Sequence, residues 1–153
     1  MNIRIRLTDL QRKRITPLQA SDSLDRLRPT TDYAGLKNAD LIIEAIVESL
    51  PIKQQVFRDL AEATSSTTVL ATNTSSLLVS DIAQGIPHPE RIVGLHFFNP
   101  PHQMPLVEIV RTNETSPAAL ATAFALTQRL GKTAVIVKDC PAFTIDHLFR
   151  SRL

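Results

Sequence analysis

The apolar residues of this chain fall into short runs that switch between two periods. Residues 40–47 set Leu41-Ile42-Ile43 and Ala45-Ile46-Val47 around Glu44, a nearly continuous run that predicts a parallel strand covered on both faces. Pro51 opens a segment with Ile52, Val56, Phe57 and Leu60 at helical spacing, which predicts a helix to about Ala63. Residues 68–72 predict the next strand, and Ser80 with Asp81 predicts a short helix closing at Gly85. Residues 91–95 and 106–111 read as two more strands. Ser116-Pro117 then caps a helix with apolar positions Leu120, Phe124 and Leu130, Gly131 ends it, and residues 133–137 form a last strand. Upstream, residues 8–27 predict two helical pieces, with Thr16-Pro17 as cap and first position and Leu18, Leu24 and Leu27 near one face. Pro29 stops the second piece, and Pro141 begins a final helical turn.

Alternation of strand and helix predicts the α/β class, with an open, doubly wound parallel sheet. Between the runs at 91–95 and 106–111 the connection is short and rich in proline. A parallel crossover needs about a dozen residues or more, so these runs are expected to pair as an antiparallel hairpin continuing the sheet at its far edge. Residues 1–28 form a helical segment apart from the sheet-forming residues 29–153. Ligands of such sheets bind beyond the carboxyl ends of the strands. Three polar clusters converge there: Val47-Glu48-Ser49, residues 72–76, and His96-Phe97-Phe98-Asn99.

The hairpin has a chemical consequence. It brings His96, at a strand end, within reach of Glu108, and a histidine oriented by a carboxylate is a general base. The plainer alternative is a capped, hydrogen-bonded loop histidine. Glu44, inside an apolar strand, reads as a buried carboxylate in need of a partner. Lys53 lies in a first helical turn, where a cation opposes the helix dipole, which hints at a function for it. His88 and His102 read as surface-loop residues.

Composition narrows the class. The chain has 153 residues, a formal net charge of +2 and ordinary apolar and charged fractions, which suits one soluble globular core. The basic N-terminal run lacks interleaved aromatics, so a solvated face is preferred to nucleic-acid binding. The single cysteine, Cys140, excludes an internal disulfide and suits a reducing, cytoplasmic compartment, with an inert thiol. No apolar stretch approaches the ~20 residues of a membrane span, and no metal site is expected. The four glycines, at 35, 85, 94 and 131, are too far apart to form the turn that cradles a dinucleotide pyrophosphate.

Four motifs, in order, carry a resemblance. Residues 40–48, Asn73-Thr74-Ser75-Ser76-Leu77, His96-Phe97-Phe98-Asn99-Pro100 and Met104-Pro105-Leu106-Val107-Glu108 resemble the NAD-binding domain of 3-hydroxyacyl-CoA dehydrogenases. With Lys138-Asp139-Cys140-Pro141 the wording is most similar to the multifunctional α-subunit of the fatty-acid oxidation complex. The resemblance implies a truncated Rossmann-like domain with NAD as cofactor and an acyl-CoA as substrate. His96 is then the base for the 3-hydroxyl proton, Glu108 its orienting carboxylate, and Ser75 a hydrogen-bond partner of the substrate oxygen beside the nicotinamide. Asn99 contacts cofactor and substrate, and Ile46, Val47, Glu48 and Lys53 line the cofactor site, Glu48 near the nicotinamide ribose. The family's Pro-Gly-Phe and Val-Asn-Arg are replaced by Pro141-Ala142-Phe143 and Ile145-Asp146-His147. Asp146 thus stands where the family holds the substrate oxygen with Asn, and its charge disfavours a developing alkoxide.

Two readings follow. One is NAD-dependent oxidation of (S)-3-hydroxyacyl-CoA in fatty-acid β-oxidation. The other is a catalytically inactive fragment or remnant acting as a binding module. Without the family's glycine-rich loop and helical C-terminal domain, weak cofactor binding and little turnover are expected of the chain alone. Partners expected under these readings are a second copy or the missing half of the enzyme, with no nucleic acid and no membrane.

Overall fold

Five apolar runs become five strands in the computed structural model, which describes residues 16–140. They are β1 (Leu41–Glu44), β2 (Val69–Thr72), β3 (Ile92–Phe97), β4 (Leu106–Arg111) and β5 (Thr133–Lys138), arranged in that order in one sheet. Strands β1, β2 and β3 are parallel, β4 is antiparallel to β3, and β5 runs parallel to β4. The expected hairpin is therefore present, with β5 added outside it. The chain divides into two compact units between Asp32 and Tyr33, and the whole sheet belongs to the second.

The first unit contributes helix α1 (Pro17–Leu24), which starts as its sequence demands. Thr16 Oγ1 accepts from the Gln19 N–H at 3.2 Å, and Gln19 Oε1 accepts from the Thr16 N–H at 2.9 Å, a reciprocal capping box. Its expected leucine face is not the buried one. Leu18 is 71% exposed, and Ala20 and Ser23 are the buried residues. The earlier helical piece at 8–15, the turn begun by Pro141, Ala142 and Asp146 all lie outside the described residues.

In the second unit, helices α2 (Leu50–Ala63), α3 (Val79–Ala83) and α4 (Pro117–Arg129) cover both faces of the sheet. Phe57 and Leu60 of α2 and Val79, Ile82 and Ala83 of α3 pack with Leu70, Ile92, Val110 and Val137 on one face. Ala119 and Ala123 of α4 pack with Ala71, Val93, Leu95, Val107 and Ile109 on the other. That is the doubly wound arrangement, and the strand register follows from it. A slip of one residue would move each strand's buried set to the opposite face.

The first strand is shorter than its apolar run. The ladder ends at Glu44, and Ala45, Ile46 and Val47 leave it for an exposed loop. Ile43 is also substantially exposed, because among the described residues β1 is an outer strand and is not covered on both faces. Strand β3 starts one residue later than expected and runs to Phe97, so His96 lies within the ladder. Helix faces differ from the apolar count as well. On α2 the buried positions are Lys53, Phe57 and Leu60 while Ile52 is exposed, and on α4 Ala119, Ala123 and Thr127 are buried while Phe124 and Leu130 are not.

Two long-range polar contacts lock the helix ends. Arg91, 4% exposed, donates to the carbonyls of Ala61 and Thr68 and to Thr64 Oγ1 at 3.2–3.3 Å, and also to the Ser65 carbonyl. A cation thus meets orphan carbonyls at the C-terminal end of α2. Burial holds this guanidinium below its ordinary pKa, with nearby Glu90 opposing the shift. Helix α3 is capped by Asp139, whose carboxylate accepts from the Val79 and Ser80 N–H groups at 3.0 and 2.8 Å. Ser80, expected to begin this helix, is already inside it.

Gly94 leaves room for Val79 of α3 and Val110 of β4 beside the backbone of β3. A Cβ at this position would lie 2.6 Å from Val110 Cβ and 3.0 Å from Val79 Cγ2. Both neighbours are β-branched and fully buried. Gly94→Ala should therefore cost about 1–3 kcal/mol of stability by overpacking, read as a shift in the urea midpoint. An unchanged midpoint would show that α3 yields without penalty.

Candidate functional site

The parallel strands β1, β2 and β3 end at the same rim, so the segments that follow them are neighbours. On one face the register sets Glu44, Thr72, Gly94 and Val110 in a row, and His96 with Glu108 two residues further along β3 and back along β4. Below this level the same face is the apolar core of α2 and α3. Above it the inward side chains are polar.

His96 and Glu108 are direct partners in the antiparallel register. The Nδ1–Oε2 distance is 2.9 Å, the Glu108 side chain is fully buried, and the His96 side chain is 11% exposed. A buried carboxylate requires a donor, so Nδ1 carries the proton in the neutral ring and Nε2 becomes the basic nitrogen. Phe98 packs against the imidazole, with ring centroids 4.8 Å apart and tilted by 55°. The histidine expected from the hairpin lies within the strand, hydrogen-bonded to a buried carboxylate, and not in a loop.

Glu44 has the partners its burial requires. Its Oε1 accepts from Lys53 Nζ at 2.7 Å and from the Ile46 N–H at 2.6 Å, and its Oε2 from Thr72 Oγ1 at 2.8 Å. Lys53 Nζ also lies 3.4 Å from Glu48 Oε2. These carboxylates offset the unfavourable dipole position of Lys53 near the start of α2. The lysine is 1% exposed, beneath the rim instead of on it.

Glu48 gathers the turn after β2. Its Oε1 accepts from the N–H groups of Ser75 and Ser76 at 3.1 and 3.2 Å, from Ser76 Oγ at 3.0 Å, and from Thr74 Oγ1. Partial burial pushes this carboxyl's pKa up, but the hydrogen bonds from Thr74, Ser76 and Ser75 prevail and hold it at about 2. With its backbone so held, Ser75 is exposed, and its hydroxyl has no hydrogen bond to another described residue. Ile46 and Val47 stand 43% and 61% exposed in the adjoining loop.

Asn73 is a positioning residue that sequence reasoning left unassigned. Its Oδ1 accepts from the Phe97 N–H at 2.9 Å, and its own N–H donates to the Glu44 carbonyl at 2.8 Å, so it ties the ends of all three parallel strands. Only its place after an apolar strand signalled it. Beyond Phe97, Asn99 is exposed in the proline-rich loop. Lys132 anchors that loop by donating to the carbonyls of Pro101 and Met104 at 2.5 and 2.7 Å. The structure thus unites His96 with Glu108, and Lys53, Glu44 and Glu48 with the backbone of Ser75. Ile46, Val47 and Asn99 lie on flanking loops, and Asp146 is outside the described residues.

Comparison with known proteins gives the family. Residues 2–140 match the family described as 3-hydroxyacyl-CoA dehydrogenase, NAD binding domain. The chain is 41% identical over 139 residues to the fatty acid oxidation complex subunit alpha of Acinetobacter baylyi, which covers 91% of this chain and 19% of that protein. It also superposes on 3-hydroxybutyryl-CoA dehydrogenase from Escherichia coli with a TM-score of 0.89 and 38% identity, over 94% of this chain and 30% of that one. The (S)-3-hydroxybutyryl-CoA dehydrogenase of Ralstonia eutropha gives a TM-score of 0.89 and 30% identity, over 93% and 50%. The chain therefore spans about a fifth of its curated relatives and at most half of these two structures.

The two carboxylate networks make separable predictions. Because Glu48 has a folded pKa depressed from 4.5 to about 2, its contribution is complete above pH 4.5 and is lost as pH falls towards 2. Urea unfolding across this range should show Glu48→Gln less stable than the parent at pH 7, with a flatter acid limb; parallel curves would remove the carboxylate from the stability account. Lys53→Met leaves Glu44 as an uncompensated buried charge and should cost about 3–5 kcal/mol. A loss under about 1 kcal/mol would mean that Glu44 finds water instead.

Proposed function

The chain belongs to the NAD-binding domain family of the 3-hydroxyacyl-CoA dehydrogenases, and on that premise we propose that its rim is the nicotinamide-facing part of a site oxidising (S)-3-hydroxyacyl-CoA to 3-oxoacyl-CoA. The observation that carries this reading is the buried His96–Glu108 pair at 2.9 Å, on the same sheet face and rim as the Ser75 turn.

The residues present suit the nicotinamide and ribose end of the cofactor. Ile46 and Val47 offer an exposed apolar wall, Glu48 Oε2 an acceptor for ribose hydroxyls, and Ser75 and Asn99 exposed polar groups. No glycine pair of this chain makes the usual pyrophosphate turn, so that end must be held by other groups. When bound, NAD supplies the two-electron acceptor for the hydride leaving C3. His96 Nε2 takes the hydroxyl proton as the C3–O bond becomes a carbonyl, and Glu108 stabilises the resulting imidazolium. Ser75 donates to the substrate oxygen in this scheme. Asp146 occupies a position assigned to the substrate oxygen by family resemblance, and a carboxylate there opposes a developing alkoxide.

A second reading has its own observation. Strand β1 offers an unpaired edge on the described sheet, and the relatives are far longer than this chain. A chain that works only beside the remainder of such an enzyme, as a binding module when alone, fits both facts.

NADH fluorescence titration of the folded chain, with and without acetoacetyl-CoA, separates them. The dehydrogenase reading expects saturable binding, and any NADH oxidation with acetoacetyl-CoA should fall by about 10²–10⁴-fold in His96→Gln, the usual worth of a general acid–base group. Binding without turnover supports the partner-dependent module. A folded chain that binds no NADH, or a rate indifferent to His96→Gln, overturns the assignment of this rim.

A further inference from the structure

The loop between β3 and β4 brings two groups to the proposed site. Phe98 packs on the His96 imidazole, and Asn99 stands exposed at the rim. The loop has few means of holding itself. Pro100, Pro101 and Pro105 offer no N–H, and residues 101–105 are all exposed. Its backbone closes a single turn, in which the Gln103 and Met104 N–H groups both donate to the Pro100 carbonyl, at 3.0 and 3.1 Å. Like a helix, such a turn ends in carbonyls that have no partner within it.

We propose that Lys132 is a positioning residue of this site, which clamps the turn at residues 100–104 from the start of β5 and so keeps Phe98 on the His96 ring and Asn99 at the rim. Its ammonium donates to the Pro101 and Met104 carbonyls at 2.5 and 2.7 Å, across the exit of the turn. A cation has the favourable sign at that end, and both bonds are charge-assisted. The next residue extends the clamp. The Thr133 N–H donates to the Pro105 carbonyl at 2.8 Å, and Thr133 pairs with Leu106 in the β4–β5 ladder. Lys132 and Thr133 together answer the Pro101, Met104 and Pro105 carbonyls.

The lysine can hold the loop because its own backbone is fixed. Helix α4 closes through Gly131, whose φ is 70° and whose N–H donates to the Gln128 carbonyl at 2.8 Å. The Lys132 N–H then donates to the Thr127 carbonyl at 3.1 Å, which completes a Schellman-type end. Thr127 is fully buried, so the backbone of Lys132 is tied to the packed side of α4. Position passes from α4 through the ammonium to the turn, and from the turn to Asn99 and Phe98 directly before it. The other side of the loop is also pinned, by Asn73 at the Phe97 N–H. Phe98 is the first residue beyond the strand and beyond that tie. Released by Lys132, the loop would swing about the end of β3 and carry the phenyl ring off the imidazole. Glu108 fixes one ring nitrogen of His96 and Phe98 one face of the ring, so both are needed to aim Nε2.

Only the consequence for the cofactor rests on the proposed dehydrogenase reading; the clamp itself does not. The test uses the 153-residue chain as Lys132→Met, which keeps a stem without a donor, and as Lys132→Arg, which restores donors for two carbonyls. Lys132 lies outside the buried core, so both variants are expected to fold. In Lys132→Met, exchange of the Gln103 and Met104 amides, followed by NMR, should quicken about tenfold or more, the scale of one lost charged hydrogen bond. Nuclear Overhauser contacts between the Phe98 and His96 rings should vanish. Amides of β2 and β3 should stay within about twofold of the parent, because the sheet ladder is untouched. NADH affinity should fall by about tenfold, since Asn99 loses its aim. Lys132→Arg should restore the ring contacts and bring exchange and affinity to within about threefold of the parent.

Unchanged exchange at Gln103 and Met104 would overturn the proposal. So would a loosened turn with Phe98 still seated on His96, because the clamp would then not reach the site. A loss of NADH affinity with turn and ring contacts unaltered would mean that the ammonium touches the ligand, and counts equally against positioning. If the parent binds no NADH, the dehydrogenase reading fails, and exchange and ring contacts still decide the role of Lys132.

Discussion

A fully buried carboxylate directly opposite a histidine constrains this fold more tightly than any apolar contact. Glu108 has no exposure, so its charge requires a donor, and only the observed β3–β4 register supplies the His96 ring. Shifting β4 by one residue would send Glu108 into the apolar face under α4 and expose the hydrophobic set of β4 to the wrong helices. The polar pair and the two apolar faces therefore select the same register. Chemistry and packing are here specified by one alignment.

The same sheet face carries a gradient. Leu70 and Ile92 lie at its apolar end, Glu44 and Thr72 one step towards the rim, and His96 with Glu108 beyond them. Helices α2 and α3 cover the first part. Lys53 extends this logic into a helix, with its stem on the buried side of α2 and its ammonium at the level where carboxylates appear. The buried carboxylates of this face are answered from neighbouring strands, Glu44 by Thr72 and Glu108 by His96.

Legibility in the sequence followed the range of the interactions involved. The strands and the β3–β4 hairpin were readable because apolar runs end abruptly at prolines and polar clusters. The His96–Glu108 contact was readable for the same reason, since a hairpin places residues on either side of its turn opposite one another. Helix faces were harder. Ala119, Ala123 and Thr127 are buried because small residues let α4 approach the sheet, while the larger Phe124 stays half outside. A count of large apolar residues misses such a face. The burial of Lys53 was hidden likewise, because its partners come from β1 and the loop after it, and the end of β1 at Glu44 reflects an edge that no local pattern marks. Asn73 and Asp139 work through backbone donors 24 and 60 residues away, which composition does not show.

The Asp139 contact bears on the order in which this site can be assembled. Helix α3 has only five residues, too few to persist without tertiary support. Its first N–H groups meet their acceptor only when the end of β5 has come alongside, closing a loop of some sixty residues. The serine turn directly before α3 thus adjoins a helix whose cap comes from a distant strand, although its own acceptor, Glu48, lies elsewhere. The β5 end serves the site at one remove, by holding the first turn of the helix that follows the serine turn.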